Sequence, residues 1–219
     1  MSARAIVLFV AAIFLPSAAL AQQGQFYAGI GFGQGRVAVP NLDPVTLNGI
    51  TFVSSSSGKS TDTGFKVYGG YQFTPTWGLE LGFSNLGNNY TANVNATAGG
   101  ATTALTGFAS VQSLHLAGTG TLPLGKSGFS AFGKLGLSSN KIDIGNICSG
   151  TTCVAGGTAS SSRTDVLLGA GMQYAVNKNV SFRLEYEDYG KASLDDFWLA
   201  GSGSAVKANF WNLSLRYDF

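Results

Sequence analysis

The chain has 219 residues and a formal net charge of +2, too small a surplus to argue for a nucleic-acid partner. Charged residues make up 11% and aromatics 12%, with 31 glycines and only 5 prolines. A disordered chain would carry more charge and fewer aromatics, and a helical one would be destabilised by so much glycine.

The first 21 residues, MSARAIVLFVAAIFLPSAALA, carry one early base (Arg4), an apolar run from Ala5 to Leu15, and small residues at Ala19 and Ala21. This pattern predicts a secretory signal peptide over 1–21, cleaved before Gln22. The alternative, an N-terminal membrane anchor, needs an apolar run of about 20 residues. No later stretch is long and apolar enough for a transmembrane helix, so the expectation is an exported chain whose domain is 22–219.

Alternation of apolar and polar residues then recurs in segments of about ten. Phe26, Ala28, Ile30 and Phe32 oppose Tyr27 and a run of glycines. Phe65, Val67, Tyr71 and Phe73 oppose Lys66, Tyr68 and Gln72, and Trp77, Leu79, Leu81 and Phe83 oppose Glu80 and Ser84. The segment around 111–122 is weakest, with Leu114, Leu116 and Leu122 against Ser113, His115 and Thr119. Phe129, Ala131, Leu135 and Leu137 face away from Lys134 and Ser138; Val166, Leu168, Met172 and Tyr174 face away from Asp165 and Gln173. Val180, Phe182, Leu184 and Tyr186 alternate with Arg183, Glu185 and Glu187. The eighth segment ends the chain, with Trp211, Leu213, Leu215, Tyr217 and Phe219 on one face.

Short turns at 74–76, 123–127 and 177–179 alternate with long Ser/Thr/Gly/Asn-rich links at 38–61, 88–106, 139–162 and 191–205. Aromatics crowd the short-turn ends at Phe73, Trp77, Tyr174, Tyr217 and Phe219. A soluble sandwich could explain one such segment. Eight of them behind a leader predict an all-β, eight-stranded antiparallel up-and-down transmembrane barrel in the cell outer membrane, because only closure satisfies every strand hydrogen bond in hydrocarbon. The four long links should face outside.

The stretches GGYQFTPTWGLELGFSNLG, GFSAFGKLGL, GAGMQYAVNKNVSFRLEYEDYG and LSLRYDF resemble the eight-stranded transmembrane domain of OmpA-like proteins. The resemblance covers essentially all of 22–219. It implies outer-membrane lipids and lipopolysaccharide as surroundings. It also implies an insertion signal at Leu215, Tyr217 and Phe219 read by the barrel-assembly machinery; simple membrane anchoring of those side chains is compatible with that role. The sequence ends at Phe219, so no peptidoglycan-binding role is carried over, and the chain is closer to stand-alone small barrels that act in adhesion and serum resistance through surface loops.

Several residues invite a chemical reading. His115 and Ser113 lie two apart on one strand face, about 7 Å and too far for a direct hydrogen bond. A lumen-packing histidine is therefore favoured over a catalytic one, and neither enzyme activity nor a cofactor is expected. No phosphate-binding glycine loop precedes a helix. Cys148 and Cys153 lack the further Cys or His that zinc requires. In an exported chain they suggest a disulfide, which either preshapes the third long link or shields it from proteases.

Counting up from the short turns places Glu80, Thr119, Gln173 and Arg183 at one lumen level and Lys66, His115, Lys134 and Glu185 one level higher, a mostly basic second layer. In OmpA-like barrels the first level resembles a plug of two acids and two bases; here Glu80 and Arg183 match, while Thr119 and Gln173 depart. The expectation is a Glu80–Arg183 salt bridge barring the pore with Thr119 and Gln173 bonded around it, the alternative being separately hydrated charges. Function is expected to be structural and surface-interacting, with a possible extracellular ligand at the loops. The alternative is a narrow porin-like channel for ions or small solutes, kept open by the many small lumen residues.

Overall fold

A computed structural model describes residues 24–38, 45–47, 50–55, 61–87, 90–98, 101–149, 158–193 and 205–219, with side-chain detail for 24–37, 61–87, 110–143, 160–191 and 207–219. Every regular element among them is a strand. They are β1 (Gln25–Ala38), β2 (Val45–Leu47), β3 (Ile50–Ser55), β4 (Thr61–Gln72), β5 (Trp77–Asn85), β6 (Tyr90–Ala98), β7 (Ala101–Pro123), β8 (Phe129–Ser149), β9 (Thr158–Ala175), β10 (Val180–Ser193) and β11 (Ala205–Asp218).

Eight of these close on themselves. The hydrogen-bonded order β7-β5-β4-β1-β11-β10-β9-β8 returns to β7 through the β7–β8 pairing, and every pairing is antiparallel. The first and last strands of the chain pair from Tyr27↔Asp218 to Ala38↔Lys207, so the terminal aromatic strand is a wall stave with no free edge.

The period of two holds around the wall. Phe32, Leu116, Leu135, Leu168, Leu184 and Leu213 point outward, each at least half exposed, and their chain neighbours turn inward. An apolar outer face with a polar inner one is the pattern of a barrel solvated by lipid. Aromatics ring the short-turn end: Phe26 contacts Tyr71 at 4.7 Å, Phe129 contacts Tyr174 at 4.7 Å, and Tyr217 contacts Phe219 at 5.2 Å between ring centroids. The turns are closed locally. Thr74 Oγ1 accepts from Trp77 N at 2.9 Å, Asn177 Oδ1 accepts from Val180 N at 2.9 Å, and Gly125 and Gly128 take φ of 74° and 80°.

The links at the other end differ from expectation. Strand continues through much of 88–106 and 139–162, making β7 23 residues and β8 21 residues long. A membrane crossing uses only about 9–11 residues. β6 continues β5 along β7, β3 pairs with β6, and β2 pairs with β3, so part of 38–61 also joins the sheet. The physical reason is solvation: beyond the bilayer both strand faces meet water, so pairing persists without the apolar alternation that revealed the lower strands.

Two distortions shape the upper barrel. Between β5 and β6, Leu86 N donates to Val111 O at 2.9 Å, and Gly87 takes φ of 85°. In β10, Gly190 takes φ of 74°, and the register with β11 shifts between Asp188 and Lys191. The leader expected over 1–21 and Cys153 lie outside the described residues, and for Cys148 only the backbone, in β8, is described.

Candidate functional site

The inward side chains fill the barrel in two layers. The lower one is ionic. Glu80 comes from β5, Lys66 from β4, Lys134 from β8, and Arg183, Glu185 and Glu187 from alternate positions of β10. Four of the six are 0% exposed, Arg183 is 2% and Lys134 4% exposed.

These six form one network, not two levels. Arg183 Nη1 donates to Glu80 Oε2 at 2.9 Å, but Lys134 Nζ approaches Glu80 Oε1 more closely, at 2.6 Å. Lys134 also reaches Glu185 at 2.7 Å and Glu187 at 3.0 Å. Lys66 Nζ lies 2.6 Å from both Glu185 and Glu187 and 3.3 Å from Glu80. Arg183 Nη2 completes the set with Glu185 at 3.4 Å. Three acids meet three bases, so buried charge is balanced, as removal from water requires.

Aromatic rings and hydroxyls frame the ions. The Arg183 guanidinium stacks 4.0 Å from the Phe132 ring centroid and 5.1 Å from that of Tyr68. Tyr189 Oη donates to Glu187 Oε2 at 2.8 Å and shares a 2.6 Å bond with Ser84 Oγ. Tyr27 Oη donates to Glu80 Oε2 at 3.4 Å. Glycine makes room for these rings: a Cβ at Gly29 would sit 2.3 Å from the Tyr68 ring, and one at Gly70 would sit 2.3 Å from that of Tyr27.

Above the ions lies an apolar collar that the sequence reading missed. Val37, Leu86, Val111, Ile142, Leu167, Tyr189 and Phe210 are buried together on the lumen side. Leu86, which continues the inward phase of β5, packs over two small residues, since a Cβ at Gly35 would meet Leu86 O at 2.4 Å and one at Gly64 its Cα at 3.0 Å.

The remaining singled-out residues divide between these layers and the wall. Thr119 is buried, but its hydroxyl bonds to neither Glu80 nor Arg183. Gln173 is the register partner of Arg183 on β9, is only half-buried, and stands outside the network. His115 lies in the lumen 3.7 Å from Glu80 and 5.8 Å from the Tyr189 ring, and it makes no hydrogen bond with Ser113. Leu215, Tyr217 and Phe219 point outward into the lipid zone. Glu187, in the polar phase of its strand but unassigned from sequence, holds two bases and a tyrosine. Its signal was its place two residues after Glu185 on the lumen face.

One triad, Glu80, His115 and Glu187, brings possible ligand atoms within 4.8 Å of one another. It does not fit a cation. Lys134 and Lys66 already hold the same carboxylate oxygens at 2.6 Å. Among the described residues the six lumen charges are buried and paired with one another.

Solved structures share the barrel fold. Ail, the attachment invasion locus protein of Yersinia pestis, solved in complex with the heparin analogue sucrose octasulfate, is 21% identical with a TM-score of 0.50, covering 90% of this chain and 100% of that one. OprG of Pseudomonas aeruginosa is 17% identical with a TM-score of 0.50, covering 90% of this chain and 97% of that one. At these identities the likeness is one of fold. No curated protein matches the sequence. The family model for the outer membrane protein beta-barrel domain matches residues 5–219, and with a closed eight-stranded wall, a lipid-facing apolar surface and that match, the chain belongs to this family of outer-membrane barrels.

Proposed function

We propose that the protein is a closed membrane anchor that presents a β-sheet outside the cell for contact with a surface partner. The observation that carries this reading is the overshoot of the wall. β7 and β8 run about twice the length of a membrane crossing, and β6 against β7, β3 against β6 and β2 against β3 carry the sheet on beyond the bilayer. Strands kept solely to span lipid have no need of that extension.

The filled lumen supports the same reading. A narrow channel would need a route past a balanced six-charge network and then past an apolar collar, both buried. In this account the leader 1–21 directs export, Leu215, Tyr217 and Phe219 serve insertion by the barrel-assembly machinery, and lipopolysaccharide and other outer-membrane lipids surround the wall. Cys148 and Cys153 brace the third outer link. No part of the reading requires enzyme chemistry.

The test is to shorten the outer sheet without touching the barrel, replacing 43–57 and 90–107 by short turns. Cells displaying the full chain should adhere to a cultured monolayer more strongly than cells displaying the shortened one at equal surface abundance. Equal adherence would overturn the surface role.

A further inference from the structure

The outward face of β1, β11 and β10 changes character in steps as it rises toward the outer side. Phe32, Leu213 and Leu184 share a lipid-facing row through the register Phe32↔Leu213↔Leu184. One step up, Trp211 and Tyr186 form a ring pair 5.0 Å apart, with Gln34 beside them. The next outward row is polar and contains Arg36, Asn209 and Asp188. Above it Lys191 and Lys207 are direct register partners.

That last pairing is unfavourable by itself. Like charges set directly opposite across two strands destabilise a sheet. Their anionic neighbours compensate only in part. Asp188 lies 3.0 Å from Lys207 Nζ, yet its other oxygen already accepts from Gly190 N at 2.9 Å. Asp165 of β9 accepts from the backbone N of Lys191 at 2.9 Å. Among the described residues no carboxylate forms an ion pair with the side chain of Arg36 or Lys191. The outward face of the far wall at comparable height carries Gln112, Ser139 and Thr164, and the base in that phase, Lys141, is held by Asp143 at 2.8 Å, while Arg163 stands in the opposite phase of β9 with Asp165.

From this asymmetry we infer that Arg36, Lys191 and Lys207, standing above the Trp211–Tyr186 pair, form a binding site for the phosphorylated headgroup of an outer-leaflet glycolipid. The aromatic pair marks the membrane–water interface, where tryptophan and tyrosine concentrate. Three bases just above it lie at the height of lipid phosphates. An arginine guanidinium takes a phosphate bidentately, and a phosphate between the two lysines relieves their repulsion. Acyl chains of the same lipid then lie along the Phe32, Leu213 and Leu184 row.

This inference rests on the outer-membrane placement, and the experiment keeps the two apart. The barrel is inserted into phosphatidylcholine nanodiscs, insertion is verified by heat-dependent gel mobility, and retention of bis-phosphorylated lipopolysaccharide is then measured by titration. Failure to insert would count against the placement; insertion without retention would count against the site. Substituting Arg36→Gln, Lys191→Gln and Lys207→Gln together should weaken retention at least ten-fold, from about five-fold per base near a membrane surface. Lys141→Gln should leave it within two-fold, and dephosphorylated lipopolysaccharide should bind wild type as weakly as intact lipid binds the triple variant. If the triple variant does not insert, Lys191→Gln alone and the charge-keeping Lys191→Arg decide: a loss of about five-fold with the first and none with the second supports the site. Equal retention by wild type and triple variant, or an equal response to phosphatidylglycerol, would overturn it.

Discussion

Replacing Glu80 by Gln removes one negative charge and almost no volume from the most heavily shared point of the lumen. Glu80 is 0% exposed and meets Lys134 at 2.6 Å, Arg183 at 2.9 Å and Lys66 at 3.3 Å. Without it three buried bases share two acids. Lys66 and Lys134 each retain close bonds to Glu185 and Glu187, whereas Arg183 retains only Glu185 at 3.4 Å. The cost therefore falls mainly on Arg183. Leaving a buried charge uncompensated costs about 3–5 kcal/mol. Urea unfolding in lipid vesicles, followed by Trp fluorescence, should show Glu80→Gln destabilised by that amount. Adding Arg183→Met should recover part of the loss, with a coupling of about 1–3 kcal/mol in a double-mutant cycle. A loss below about 1 kcal/mol, or additive effects, would refute the reasoning and mean that water hydrates these charges separately.

Three further outcomes follow from the same account. Leu168→Arg, on the lipid face, should cost about 2–4 kcal/mol in vesicle unfolding if it lies near mid-membrane; unchanged stability would place that residue elsewhere. An epitope inserted near Ser56 should be labelled on intact cells and one at 177–179 should not; labelling of the second would reverse the orientation. Cys148 and Cys153 should be linked in exported protein, so intact mass after alkylation should rise only when reductant is added first, and free thiols on both would remove the disulfide.

The barrel was legible in the sequence because hydrocarbon enforces a rule on every outward residue. Phe26 to Phe32, Leu135, Leu168 and Leu213 could not have been polar there, so a period of two survives without any knowledge of pairing. Where water replaces lipid the rule lapses. Residues 90–98 and 139–149 remain strands, yet their Ser, Thr and Asn read as link. The lumen was partly legible for a related reason. Acids and bases inside a narrow barrel can be placed by phase, which brought Glu80, Arg183, Lys66, Lys134 and Glu185 into view. Phase alone does not give height on tilted strands, so one network read as two levels. Gln173, Arg183's neighbour in register, looked like a member of it. The apolar collar was hidden because Val37 and Leu86 sit at segment ends and Leu167 lies between outward neighbours. Leu86 continues the inward phase of Glu80, Gly82 and Ser84 one residue past the end of β5.

The central claim is that ions and collar close the barrel at rest. Single-channel recording of the purified wild-type protein in a planar bilayer tests it most directly. A closed barrel predicts no steady conductance above the bare bilayer across moderate voltages, with openings appearing once Leu86→Gly and Glu80→Gln weaken both layers. A sustained wild-type conductance, unchanged by those substitutions, would contradict it.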